Sequence, residues 1–262
     1  MVPALWVCAP EARSGSLVGM HDSSTTRPIF GSQELTGRSR AHVVELDHPR
    51  CVLHPAVAHA FLRLRRAASR AGFDLVPASS FRDFDTQVRI WNEKWTGLRP
   101  LLNRDSRPLK ASALTPAARV AAILLWSAPP GASRHHWGTE LDVFDRTALK
   151  KGQSLQLVPA EYAVGGPFES LSGWLDKHMG RYGFYRPYVT DRGGVQPEPW
   201  HISHWPTAVD AQRRFRLATL RTAIKNSEVQ GKSALLKALP RVYERYVRSI
   251  DKPPRELRTK RS

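Results

Sequence analysis

Cysteine is nearly absent from this chain: Cys8 and Cys51 are the only two in 262 residues. So low a count excludes a disulfide framework and a thiolate zinc cluster, and leaves histidine and carboxylate as the side chains able to hold a metal. Long apolar runs are missing too. No stretch approaches the ~18 residues that a membrane span needs. The first twenty residues have no basic start leading into an apolar core, and Glu11 and Arg13 interrupt what apolar character there is, so no secretion signal is read there. Acidic residues are scarce, 23 against 40 Lys plus Arg, for a net charge of +17. Such a balance favours anionic partners: nucleic acid, anionic lipid or an acidic wall polymer. It is unevenly placed, because residues 206–262 hold fifteen Lys plus Arg against five Asp plus Glu, which is +10 of the +17. No nucleic-acid reading module accompanies the charge.

What is present is globular. Hydrophobic residues at 41% and charged residues at 24% are ordinary values, and the length suits one domain with an appendage. Residues 1–40, rich in Ser, Thr, Gly and Pro, read as a mobile leader. Residues 41–206 carry the mixed pattern of the main domain. A strand is expected near 41–46, then a helix opened by His54-Pro55 and running to Gly72. A strand over 73–78 leads to a helix carrying Asp85, Gln87, Ile90 and Trp91. Residues 96–112 read as a loop, and Thr115-Pro116 caps an apolar helix that Pro129-Pro130-Gly131 ends. Strands are expected at 141–145 and 200–203, with a helix over 167–180 between them. Residues 207–262 change to two basic amphipathic helices, about 207–226 and 233–250, and a frayed tail. Phe215, Leu217, Leu220, Leu235, Leu236 and Leu239 would pack them on the domain as a cap, with the charge as its solvated face. The other use of that charge is contact with an anionic polymer. The whole reads as α+β, a small, mainly antiparallel sheet flanked by helices with a basic C-terminal helical extension.

The chemistry gathers in Ser133-Arg134-His135-His136-Trp137-Gly138-Thr139-Glu140-Leu141-Asp142 and in Glu198-Pro199-Trp200-His201. A histidine and an aspartate on one short segment, joined by a later histidine, make a nitrogen–oxygen donor set. Three such ligands leave one position for water, whose pKa zinc lowers toward ~7, and a spare glutamate can serve as base. An isolated His-x6-Asp spacing is most often a solvated loop and a cap. Spacing alone does not separate His135 from His136, or His201 from His204.

These motifs resemble those of the zinc D-alanyl-D-alanine carboxypeptidases of the VanY type and their LAS relatives. That family carries S-x-H-x-x-G-x-A-x-D and E-x-W-H, preceded by a serine-aromatic-arginine motif with a nearby glutamine. Ser80-Phe81-Arg82 with Gln87 stands in the matching place, and the resemblance spans about residues 40–206. It implies the LAS/Hedgehog-like zinc peptidase fold, with Zn2+ held by His135, Asp142 and His201, and His136 and His204 as bystanders. Glu198 would be the general base for attack by zinc hydroxide and would hand the proton to the leaving amine. Arg82 would polarise the scissile carbonyl or stabilise the oxyanion. Ser133, Ser80 and Trp200 would line the substrate site, and Gln87 would either join them or support Arg82. The substrate implied is a D-alanine-containing peptidoglycan stem peptide or precursor, cut as a D-Ala-D-Ala carboxypeptidase. The rivals are an endopeptidase or dipeptidase of the same fold, or a non-catalytic zinc recognition module. The missing signal points to the cytoplasm and the substrate class to the cell envelope; action on recycled wall peptides would reconcile them. One departure stands out. Glu140 occupies the family's small-residue position, on Asp142's face of the strand, as a partner of the metal ligands, a bias toward cationic groups, or an exposed charge paired with an arginine.

Overall fold

The computed structural model describes residues 30–150 and 152–259. Most of the expected leader, residues 1–29, lies outside the described residues. Residues 30–40 are built into the fold: a short helix α1 (Ser32–Leu35) forms, and Phe30 and Leu35 are buried. The indole of Trp137 donates to the Leu35 carbonyl at 3.2 Å, which pins this segment beside the motif turn.

A hairpin of β1 (Val44–Asp47) and β2 (Arg50–Leu53) comes next. Helix α2 (Pro55–Arg70) starts where His54 accepts the Ala56 N–H and proline occupies the first turn, its N–H not being needed there. Strand β3 (Leu75–Ser79) leads to α3 (Phe84–Thr96), capped by Asp83 accepting the Thr86 N–H at 2.8 Å. Residues 96–112, read as loop, contain a small hairpin, β4 (Leu101–Leu102) with β5 (Pro108–Leu109). Helix α4 (Pro116–Leu124) has Thr115 as its cap. After the 3-10 turn Arg134–Trp137 come β6 (Glu140–Asp145), α5 (Glu169–His178), β7 (Phe184–Tyr185) and β8 (His201–His204).

Strands β3, β6, β8 and β7 pair in that order as one antiparallel sheet, the architecture expected of an α+β domain. Its two faces follow from strand alternation. Leu141 and Val143 of β6 and Ile202 of β8 point into a core shared with Phe61 and Leu64 of α2 and Leu171 and Leu175 of α5. Each such side chain contributes roughly 1.5–3 kcal/mol by leaving water, so Leu141→Ala would cost about 2–5 kcal/mol. The intervening Glu140 and Asp142 are thereby turned to the opposite face.

The C-terminal region differs from two continuous helices. It is divided into α6 (Trp205–Arg214), α7 (Leu217–Lys225), α8 (Lys232–Val242), a π-helical turn (Tyr243–Arg248) and α9 (Arg255–Thr259). The break after α6 falls where Phe215 and Arg216 adopt extended backbone. Phe215 is carried inward by that break and meets Trp137 at 6.2 Å between ring centroids. Leu220, Ile224, Leu235 and Leu239 share a second core with Trp91 of α3 and Ile123 of α4. Among the described residues no helix is long and apolar enough to cross a membrane.

Candidate active site and metal centre

Strand register builds the site. Asp142 of β6 stands opposite His201 of β8, and Glu140 opposite Ser203; directly paired residues project from the same face within reach of each other. On the other side β3 pairs with β6 through an irregularity between Pro77 and Ser79, where the chain leaves the sheet toward Ser80 and Arg82. The turn Arg134–Trp137 brings His135 back over the strand. Gly138 closes that turn at φ 66°, and a Cβ there would lie 2.5 Å from Val43 Cγ1 and 2.9 Å from the His54 nitrogen. Glycine is required at this position of the motif by both backbone and space.

Among the described residues, His135, Asp142 and His201 form the one group of buried donors able to hold a metal ion, with ligand atoms all within 4.8 Å of one another. His135 Nε2 is 3.3 Å from Asp142 Oδ2, and His201 Nδ1 is 3.1 Å from Asp142 Oδ1. Two imidazole nitrogens and a carboxylate oxygen are donors of the kind zinc takes, so the chemistry of this set fits zinc. The Nδ1–H of His135 donates to the Ser80 carbonyl at 2.7 Å, which leaves Nε2 as the free donor. Burial pushes the Asp142 carboxyl upward, but His135 and the hydrogen bonds from both histidines hold it far below the usual carboxylate range. Burial also opposes charge on His201, yet its bonds to Asp142 and Glu140 lift it to about 10.

Glu198 lies beside this group without being one of the three donors, its Oε2 3.5 Å from His201 Nδ1. Burial pushes its carboxyl up to about 7; His201, Lys94 and Arg82 pull it back and Asp142 adds to the rise. Arg82 is held by Gln87 Oε1 at 2.9 Å and Ser79 Oγ at 3.0 Å, and Gln87 in turn donates to the Ala128 carbonyl at 2.8 Å. With both ends of its amide so engaged, Gln87 supports Arg82. Ser80 accepts the Val52 N–H through its hydroxyl at 3.0 Å and orients His135 through its carbonyl, a scaffolding position. Ser133 is buried at the head of the motif turn. Trp200 packs against Tyr162 at 5.8 Å in a small aromatic cluster with Phe168, forming a wall behind the strand.

Both neighbouring histidines are occupied elsewhere. His136 donates from Nδ1 to the Arg82 carbonyl at 2.6 Å and accepts the Gly131 N–H at Nε2. His204 faces Thr207 and the Phe184 ring. Three residues escaped the motif reading. Lys94 points its ammonium at the Trp126 carbonyl, 3.3 Å away; burial and the charges of Arg82 and Arg99 lower it to about 8, with Glu198 pulling the other way. Tyr188 sets its ring against His201 at 5.1 Å, and its carbonyl accepts the Glu198 N–H. Arg134, inside the motif, pairs with Glu140. Lys94 sits two turns along α3 from Gln87, which was the available signal; the others depend on tertiary register.

Three clustered nitrogen and oxygen donors that could hold one metal ion therefore lie together with a carboxyl poised near neutrality and an anchored guanidinium. The comparisons make the class specific. The sequence model of the VanY D-alanyl-D-alanine carboxypeptidases matches residues 50–207, more than half of the chain, and the chain belongs to that family. It is 41% identical over 118 residues to an uncharacterised protein of Haemophilus influenzae, spanning 44% of this chain and 90% of that one. A D-alanyl-D-alanine carboxypeptidase of Enterococcus faecalis is 28% identical over 141 residues, 53% of this chain and 42% of that protein. Among solved structures, the chain is similar to a mutant of the vancomycin resistance D,D-pentapeptidase VanY in complex with Zn(II). The identity is 23% and the TM-score 0.45, covering 74% of this chain and 88% of that one.

Proposed function

We propose that this chain is a zinc metallocarboxypeptidase that removes the terminal D-alanine from peptidoglycan stem peptides or their precursors. The observation that carries the reading is Glu198: a carboxyl raised to about 7, beside three buried metal donors yet outside their number. Held by His135, Asp142 and His201, zinc would supply Lewis acidity and an acidified water. Glu198 takes a proton from the attacking water as the new C–O bond forms, and delivers it to the leaving amine as C–N breaks. A pKa near neutrality suits both halves of that transfer. Arg82, fixed by Gln87 and Ser79, places positive charge where the carbonyl oxygen becomes an oxyanion.

Lys94 favours exo- over endo-cleavage. Its ammonium feels both Glu198 and Arg82 and, with a pKa of about 8, is mainly charged at neutral pH. A second cation within electrostatic reach of Glu198 suits the free carboxylate at the end of a peptide. The test compares a stem peptide ending in D-Ala-D-Ala with its C-terminal amide, on wild type and Lys94→Met. A charge-assisted hydrogen bond of about 1.5–3 kcal/mol corresponds to a KM rise of roughly 10–100-fold for the amide or the variant. Equal cleavage of acid and amide would turn the reading to an endopeptidase.

A further inference from the structure

Glu140 is fully buried, two residues before Asp142 on the same face of β6. Its two oxygens have separate partners. Oε1 accepts from Arg134 Nη2 at 3.1 Å, Thr139 Oγ1 at 2.8 Å and Ser203 Oγ at 2.8 Å. Oε2 accepts the Nε2–H of His201 at 2.8 Å. Arg134 is itself tied down: Nη2 reaches Ser203 Oγ at 2.9 Å, Nη1 reaches Gln212 Oε1 of α6 at 3.3 Å, and the guanidinium lies 4.7 Å over the Trp137 ring. A buried carboxylate costs several kcal/mol unless charge and hydrogen bonds compensate it; four donors, the Arg134 guanidinium among them, do so here and leave Glu140 little freedom to move.

We infer that Glu140 is a positioning residue for the metal centre, which accepts the Nε2 proton of His201 and so leaves Nδ1 as that ligand's metal-binding nitrogen. The inference rests on the zinc reading above. A neutral imidazole carries one N–H, and an acceptor on one side decides which nitrogen bears it. His201 Nδ1 then faces Asp142 and Glu198. His135 is arranged in the opposite sense, with Nδ1–H on the Ser80 carbonyl and Nε2 toward Asp142. The two ligands thus present different nitrogens, one oriented by a backbone carbonyl and the other by a charged side chain. Through Arg134 and Gln212, helix α6 shares in holding His201.

Glu140→Gln tests this with little change of volume. Arg134, Thr139 and Ser203 demand an oxygen on their side, so the amide nitrogen is left facing His201, a donor where an acceptor stood. The zinc Kd, read by competition with a chromophoric chelator, should rise about 10–100-fold. In zinc-loaded wild type with 15N-labelled histidine, the His201 proton should reside on Nε2 and exchange slowly with solvent. An unchanged Kd in the folded variant, or metal on Nε2 of His201 in wild type, would overturn the inference. The second measurement needs no variant, so misfolding of Glu140→Gln cannot shield the idea. A wild-type chain that takes up no stoichiometric zinc would instead overturn the metal reading on which the inference depends.

Discussion

Glu198→Gln should make the protein more stable while nearly abolishing its activity. The Glu198 carboxyl is raised from 4.5 to about 7, with burial the largest cause. An acid whose folded-state pKa is raised costs nothing below its unfolded value and its full penalty above the folded one. At about 1.4 kcal/mol per pH unit, the penalty reaches about 3 kcal/mol at pH 8 and shrinks to under about 1 kcal/mol near pH 5. Glutamine keeps the shape and removes the charge. For a chain of this size, melts of the chelator-treated variant at pH 8 should move up by roughly 6–12 °C, with most of the gain gone at pH 5. Metal-free protein is the right sample, because a bound cation would itself favour the charged carboxylate. Turnover of the zinc-loaded variant should fall about 10²–10⁴-fold, the usual worth of a general base. The opposition of the two effects is the signature of a strained catalytic group. Equal melting of variant and wild type at pH 8 would refute the desolvation argument, and near-normal turnover with zinc bound would remove Glu198 as the base.

Arg82→Ala should retain zinc and lose about 10²–10³-fold in kcat, as expected for a lost oxyanion partner; steady-state kinetics with metal analysis decides, and an undiminished kcat takes Arg82 out of the reaction. The adjacent histidines should separate cleanly. His201→Ala should lose zinc and activity together, whereas His136→Ala should keep zinc but lose about 2–4 kcal/mol, since it strands the Arg82 carbonyl and the Gly131 N–H. Urea titrations and metal analysis read both. Acid should weaken the fold through two other histidines. Burial lowers His54 to about 4, with His42 nearby adding to the effect. Burial likewise lowers His204 to about 4, with His54 adding and Glu140 opposing. Both stay neutral in the fold while the unfolded chain takes up protons below about 6.5, so their stabilisation is intact above that value and is lost as pH falls toward 4. Urea midpoints that stay flat from pH 7 to pH 4.5 would contradict this.

Local signals made much of this protein legible. Proline at the first turn marked α2 and α4 correctly, and strand alternation put Glu140 on Asp142's face of β6. The donors meet because Asp142 and His201 lie on paired strands and the turn before β6 returns His135, while the preference for His135 and His201 over His136 and His204 came from the family resemblance. Where contacts are distant, the sequence was silent. Residues 30–40 read as leader because two apolar side chains, Phe30 and Leu35, anchor them to partners far along the chain. The hairpin inside 96–112 is too short for a periodic signal. The division between α6 and α7 comes from the tertiary demand that Phe215 turn inward to Trp137, which outweighs an unbroken helical pattern. Glu140 was placed on the right face, but its exposed alternative does not survive: it is buried and paired with Arg134, an outcome set by the pairing of Glu140 with Ser203.

The most direct test of the zinc carboxypeptidase reading is one titration. Metal-free protein is loaded with zinc in steps, each step is incubated with a stem peptide ending in D-Ala-D-Ala, and mass spectrometry reads the products. Release of one terminal D-alanine should rise in proportion to bound zinc and saturate at one ion per chain, with the all-L peptide left intact. A chain that binds one zinc and cleaves neither peptide would contradict the enzymatic reading and leave a zinc-holding recognition module in its place.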